Sequence, residues 1–206
     1  LSFPSRPYDS PAAFLNDYAA ALEAAHASID RTQLDAAAAL LSAAHAADAT
    51  IFTCGNGGSA SIANHMVCDH QKGVSNGTHL RPRVVSLACN IELMTATIND
   101  IGYSEVFALP LSLHARKGDV LVAVSSSGDS ENIVRALTVS RELGLKSIAL
   151  TGFSGGRARQ LADVALHVDA ANYGIVEDAH QTLMHALSQF LRLRAMPPDQ
   201  ISQRRF

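Results

Sequence analysis

Disulfide cross-links, a membrane span and a nucleotide fingerprint are all absent from this 206-residue sequence. Its three cysteines, Cys54, Cys68 and Cys89, are an odd number without framework spacing, so they read as reduced thiols of a cytosolic protein. Cys54 lies within an apolar strand and is expected in the core. No apolar run approaches the roughly 20 residues that a membrane helix needs, and the N-terminus has no basic region followed by an apolar one. A soluble, cytoplasmic protein without membrane partners is expected. With a net charge of -3 and a pI near 6.3, the chain has no general attraction for nucleic acid. No Gly-Lys-Ser/Thr completes a Walker A loop and no G-x-G-x-x-G follows a strand, which disfavours a nucleotide ligand. Internal repeats and low-complexity tracts are also missing, apart from a bias to alanine.

What is present is 48% hydrophobic content, enough for one sizeable core and too little length for two ordinary domains. A single domain over residues 1–206 is expected, with a helical pair at 10–47 and an α/β core at 49–196. The organising stretch is 120–132, VLVAVSSSGDSEN. Val120, Leu121, Val122, Ala123 and Val124 form an unbroken apolar run, as in a parallel strand covered on both faces. Ser125, Ser126, Ser127, Gly128 and Ser130 follow, and then helical spacing begins at Glu131. A strand, a small polar turn and a helix start aim backbone N–H groups and hydroxyls at one spot, which suits an anion. Capping by Ser127 or Ser130 explains one serine. Four hydroxyls within six positions exceed that need and point to a phosphate cradle.

Along the chain, residues 1–10 read as an extended lead-in, and Ser10-Pro11 opens a helix as cap and first helical residue. Phe14, Tyr18, Ala21, Leu22, Ala25 and Ile29 carry it, and a second helix runs from about Thr32 to Ala47. From Ala49 strands and helices alternate, the signature of a doubly wound sheet. Strands are expected at 50–54, 83–87, 120–124, 147–151 and 164–168. Helices are expected at 59–72, 91–98, 106–115, 131–143, 156–162 and 175–194, the last stopped by Pro197-Pro198. The polar turns at 55–59 and 125–130 both follow strands, so they should flank one pocket at the C-terminal edge of the sheet.

Chemistry-bearing side chains fall in four further places. Gly55-Asn56-Gly57-Gly58-Ser59 offers close backbone approach and one amide. Behind it His65 and Asp69 are four apart and share a helix face, able to bind one metal or act as base and partner; a plain surface pair is the simpler account. On the last helix Glu177 and His185 lie about two turns apart on one face. Two imidazoles and two carboxylates together would suit zinc or a similar divalent ion, whereas Asp178 and Gln181 beside them suggest a solvated helix. His180 reads either as a supporting group or as a surface histidine. Asn99-Asp100, placed in a loop after a helix, is either a turn or a hydrogen-bonding site for sugar hydroxyls.

These motifs together resemble the SIS (sugar isomerase) family, and within it the phosphoheptose isomerases: GNGGS at 55–59, His65 six residues on, ATIND-x-GY at 96–103, GDVLVAVSSSGDSENI at 118–133, TG at 151–152 and His185 on a late helix. The resemblance spans nearly the whole chain. It implies a flavodoxin-like sheet of five parallel strands behind an N-terminal helical hairpin, a homotetramer, and a zinc ion. By motif position it implies that Asn56, Gly57, Gly58, Ser59, Asn99, Asp100, Ser125, Ser126, Ser127 and Ser130 hold a sugar phosphate. It also implies that His65, Asp69, Glu177 and His185 are the metal-binding set, with Asp69, Glu177 and His185 catalytic. Two positions depart from the family pattern: Asp69 stands where a glutamate is usual, and Glu177 replaces a glutamine. The reaction implied is ketose–aldose isomerisation of sedoheptulose 7-phosphate through a metal-assisted enediol. Other readings within the family are isomerisation of a different sugar phosphate, or a non-catalytic role of the kind that binds a replication initiator.

Overall fold

The computed structural model describes residues 3–204, so the first two residues of the expected lead-in lie outside the described residues. Helices α1 (Pro11–Ala27) and α2 (Arg31–Ala46) form a hairpin, followed by β1 (Thr50–Gly55), α3 (Gly58–Cys68) and a π-helical segment (Asp69–Val74). Next come β2 (Arg83–Ser86), α4 (Ile91–Asp100), α5 (Glu105–His114), β3 (Val120–Ser125) and α6 (Glu131–Glu142). The chain continues through β4 (Lys146–Thr151), α7 (Gly156–Leu161), β5 (Val164–His167) and α8 (Tyr173–Ala195) to a 3-10 turn (Pro198–Gln203).

The strands form one sheet of order β2-β1-β3-β4-β5, and every neighbouring pair is parallel. All of β3 is buried, as its unbroken apolar run requires. Strand periodicity sends Val120, Val122 and Val124 to one layer with Ile62, Met66, Ile175 and Leu183 from α3 and α8. Leu121 and Ala123 face the other layer, with Phe107, Ile133, Leu137 and Ala158 from α5, α6 and α7. The hairpin α1–α2 covers the first layer through Ala25, Ala37, Ala38, Leu41 and Ala44. Cys54 is fully buried in the second, and burial pushes its thiol up to about 12.

Local chemistry sets most helix starts. Ser10 Oγ accepts from Ala13 N at 3.2 Å with Pro11 following, and Asp30 accepts from Thr32 N at 2.8 Å. Three expected boundaries are corrected. The helix expected over 59–72 is α-helical only to Cys68 and then widens to π geometry. The helix expected to end at 98 runs on through Asn99 and Asp100, so this pair is the last turn of α4 and not a loop. The last helix starts at Tyr173 because Asn172 caps it, Oδ1 accepting from Ile175 N at 3.1 Å.

Order in the sheet places the ligand edge. β1 and β3 are adjacent, with Gly55 paired to Val124, yet the chain leaves β1 into α3 on one face and leaves β3 into α6 on the other. Their C-terminal ends therefore open a crevice at the topological switch point.

Candidate active site

The serine turn is pinned from behind. Ser126 O accepts from Gly152 N and Gly128 O from Ala158 N, both at 2.8 Å. Gly128 has φ +70°, and a Cβ there would overlap the Gly155 carbonyl, so only glycine permits this approach. The first intrahelical bonds of α6 run from Ile133 N and Val134 N to Ser130 O, which leaves the N–H groups of Glu131 and Asn132 pointing out of the helix end. Ser130 occupies the cap position, but its hydroxyl makes no capping bond. Ser125 Oγ accepts from Gly128 N at 3.1 Å, and Ser127 Oγ is 3.4 Å from Asp129 N. The buried Ser126 hydroxyl has no hydrogen-bond partner among the described residues. Capping thus does not account for the serines.

The first turn is locked to the second through an amide pair. Asn56 Nδ2 donates to Asn132 Oδ1 at 2.9 Å, and Asn132 Nδ2 donates to Asn56 Oδ1 at 2.8 Å. Asn132 is completely buried. The side chain of Asn56 is thereby engaged as a brace between the turns. Asn132 carried no role in the sequence reading, because a helix asparagine gives no sign of a partner 76 positions away. Gly57 caps α3 with φ +53° and open space around it, Ser59 is buried in the first turn of α3, and a Cβ on Gly58 would collide with the Glu177 carboxylate.

α3 and its π extension run beside α8, and three of the expected side chains meet there. Asp69 Oδ2 accepts from His185 Nδ1 at 2.7 Å, while Asp69 Oδ1 lies 3.2 Å from His65 Nε2. The two imidazole rings stand edge to face at 5.1 Å. The shorter aspartate therefore still reaches both histidines. Ser188 Oγ approaches Asp69 Oδ2 at 3.4 Å, and the Gln181 amide is 2.8 Å from His185 Nε2. His185 is thus held at both ring nitrogens, Nδ1 against Asp69 and Nε2 against Gln181. Gln181 and Ser188 lie four before and three after His185, so helical spacing was the signal that could have found them. The widened turn at Asp69 also turns His70 the other way: it is buried, with Nδ1 3.3 Å from His45 Nε2.

The groove beside this cluster has a volume of about 520 Å³ and is lined by His65, Asp69, Lys72, His185, Ser188 and Arg192 among others. The ligand atoms of His65, Asp69 and His185 all lie within 4.8 Å of one another. Two imidazole nitrogens and a carboxylate so grouped are a ligand set of the kind that holds a divalent metal ion.

Glu177 stands apart from that cluster within the chain, its carboxylate against Gly58 at the start of α3. Burial, reinforced by the charge of Asp178, holds its carboxyl above the usual glutamate range. His180 is corrected from a possible surface histidine to a wholly buried one beneath β4, pushed down to about 4 chiefly by burial. Asn99 and Asp100 are exposed, with Asn99 Nδ2 donating to Asp100 Oδ1 at 2.6 Å.

A parallel sheet of this order with a hydroxyl-rich turn at its switch point defines a SIS domain, and residues 13–152 match the model of that family. The chain is 37% identical over 179 residues to the phosphoheptose isomerase of Mycobacterium tuberculosis, covering 83% of this chain and 88% of the relative. It is 34% identical over 155 residues to that of Rhodospirillum rubrum, covering 73% and 80%. The solved phosphoheptose isomerase of Neisseria gonorrhoeae superposes with a TM-score of 0.79 at 31% identity, over 87% of this chain and 95% of that one. The enzyme from Francisella tularensis gives the same TM-score at 26% identity, over 88% and 98%. The chain belongs to the phosphoheptose isomerases, a branch of the SIS-domain family made up of aldose–ketose isomerases.

Proposed function

We propose that the protein interconverts sedoheptulose 7-phosphate and the corresponding aldose, heptose 7-phosphate. The observation that carries this reading is the meeting of His65, Asp69 and His185 beside α3, whose N-terminus adjoins the serine turn. His65 lies seven residues beyond Gly58, about 10 Å along the helix axis. A phosphorylated sugar chain held at Ser125, Ser126, Ser127 and Ser130 can lie along that path with its carbonyl end at the cluster. Binding energy from the phosphoryl group then fixes the reacting end. The same convergence favours catalysis over a non-catalytic binding role.

The reaction needs a base for the proton on the carbon beside the carbonyl and a second group to move protons between the two oxygens. Glu177 is the better base, because burial and Asp178 raise its basicity while both oxygens of Asp69 are occupied by imidazoles. It takes the proton from one carbon, leaving a cis-enediol, and returns it to the neighbouring carbon. His185 moves the oxygen-bound proton at Nε2, and Asp69 on Nδ1 orients the ring. His65 and Asp69, with His185 in place of its proton-transfer role, are the residues that would hold zinc, which would supply Lewis-acid polarisation of the carbonyl.

Exposed apolar side chains on and just after α4, among them Ile91, Ile98, Ile101 and Tyr103, support a homotetramer, as the resemblance implies. No helix among the described residues is long and apolar enough to cross a membrane, and the cytoplasm, without nucleic-acid partners, is the proposed setting.

Incubating the protein with sedoheptulose 7-phosphate in D2O and following the sugar by NMR tests the reading. Aldose formation with deuterium entering carbon 1 or 2 is expected, and Glu177→Gln should slow turnover about 100-fold or more. Neither product nor exchange with any heptulose phosphate would refute the isomerase assignment. Undiminished turnover in both Glu177→Gln and Asp69→Asn would remove these carboxylates from the mechanism.

A further inference from the structure

The serine turn carries an electrostatic conflict within its own sequence. A phosphate dianion held by these hydroxyls and the α6 N-terminus would sit beside Asp129, which is part of the turn, and Glu131, the first residue of α6. Carboxylates at a helix N-terminus compete with a bound anion for the same positive end. Both side chains are engaged from the first turn of α7. Arg157 Nε donates to Asp129 Oδ1 at 2.5 Å, and one Nη donates to the Asp129 carbonyl at 3.0 Å and to Glu131 Oε1 at 2.7 Å. The other Nη reaches Glu131 Oε2 at 3.3 Å. The guanidinium holds the Asp129 carboxyl below its usual range.

Its delivery is built into the backbone. Gly155 and the first turn of α7 dock directly on the serine turn, with Ala158 N donating to Gly128 O and a Cβ on Gly156 excluded by Gly128. Arg157 N itself lies 3.4 Å from Asp129 Oδ1. The serine turn and the start of α7 are therefore joined through the backbone.

We propose that Arg157 is a positioning residue for substrate binding, neutralising Asp129 and Glu131 and turning them from the serine turn so that a sugar phosphate can enter. The inference rests on the proposed isomerase function, and specifically on the serine turn as the phosphate site. Without Arg157, two uncompensated negative charges would stand beside the bound dianion.

Unmodified protein with sedoheptulose 7-phosphate is the reference, and its failure to turn over would count against the functional reading rather than the role of Arg157. Given turnover, Arg157→Gln should raise KM, and the Ki of inorganic phosphate as a competitor, about five- to tenfold at low salt. Raising the ionic strength should shrink the defect. Arg157→Lys, which keeps the charge while losing the fork, should stay within about threefold of the unmodified protein. The triple variant Arg157→Gln, Asp129→Asn, Glu131→Gln should recover most of the lost affinity. A structural clamp predicts the opposite, since the triple variant also lacks every side-chain bond of the clamp. An unchanged KM in Arg157→Gln, or a triple variant as impaired as the single one, would overturn the proposal.

Discussion

Asn56 and Asn132 offer a sharp test of how the two turns are held together, because their environments differ while their hydrogen bonds are shared. Asn132 is wholly buried, whereas Asn56 is only partly so. In Asn132→Ala the amide of Asn56 is left near the surface, where water can replace its partner. The cost is then two net hydrogen bonds, about 1–3 kcal/mol in total. In Asn56→Ala the amide of Asn132 keeps a buried donor and a buried acceptor without partners, at about 1–3 kcal/mol for each. The more exposed residue should thus be the costlier to truncate, by about 1–3 kcal/mol. Adding Asn132→Ala to Asn56→Ala should cost nothing further or restore stability, giving strong coupling in a double-mutant cycle. Urea unfolding of the four proteins at one fixed protein concentration measures this, since association would shift the midpoints. Additive effects, or a larger loss from Asn132→Ala than from Asn56→Ala, would refute the reasoning.

Two further outcomes follow from close contacts and buried rings. Gly58→Ala should keep or slightly raise stability, because alanine favours the helix by about 1 kcal/mol. Its Cβ would displace the Glu177 carboxylate, so turnover should fall sharply in a protein that unfolds normally; full activity would show that the position of Glu177 is immaterial. Burial holds His70 down to about 3 and His180 down to about 4, against an unfolded value near 6.5. Below about pH 6.5 the unfolded chain binds protons that the folded one refuses, so stability is flat near neutrality and falls on acidification. Each ring should cost on the order of 1–2 kcal/mol by pH 5. Urea midpoints at pH 7 and pH 5 should therefore converge in His180→Leu relative to the unmodified protein, and an identical pH slope in the two would exclude this ring as a source.

The sequence by itself carried the alternation of strands and helices, the central position of β3 and the two polar turns, because these depend on periodicity and on residues adjacent in the chain. The unbroken run at 120–124 and the glycines and serines after it specify a covered strand and an anion-ready turn wherever they occur. Helical spacing likewise gave the pairing of His65 with Asp69 before any fold was known. It could not say that Asp69 bridges to His185, 116 positions on, nor that Glu177 turns to Gly58 while Gln181 takes the place beside His185. Those outcomes depend on how α3 lies against α8 and on the switch to π geometry at Asp69, which re-aims the side chains on either side of it. The same limit hid Asn132 and Arg157, since a buried amide pair and a guanidinium clamp exist only when the ends of β1 and β3 and the start of α7 are brought side by side. Local pattern determined the elements and their polar edges; the tertiary packing decided which side chains meet, because hydrogen bonds and charges act over a few ångströms of space and are blind to separation along the chain.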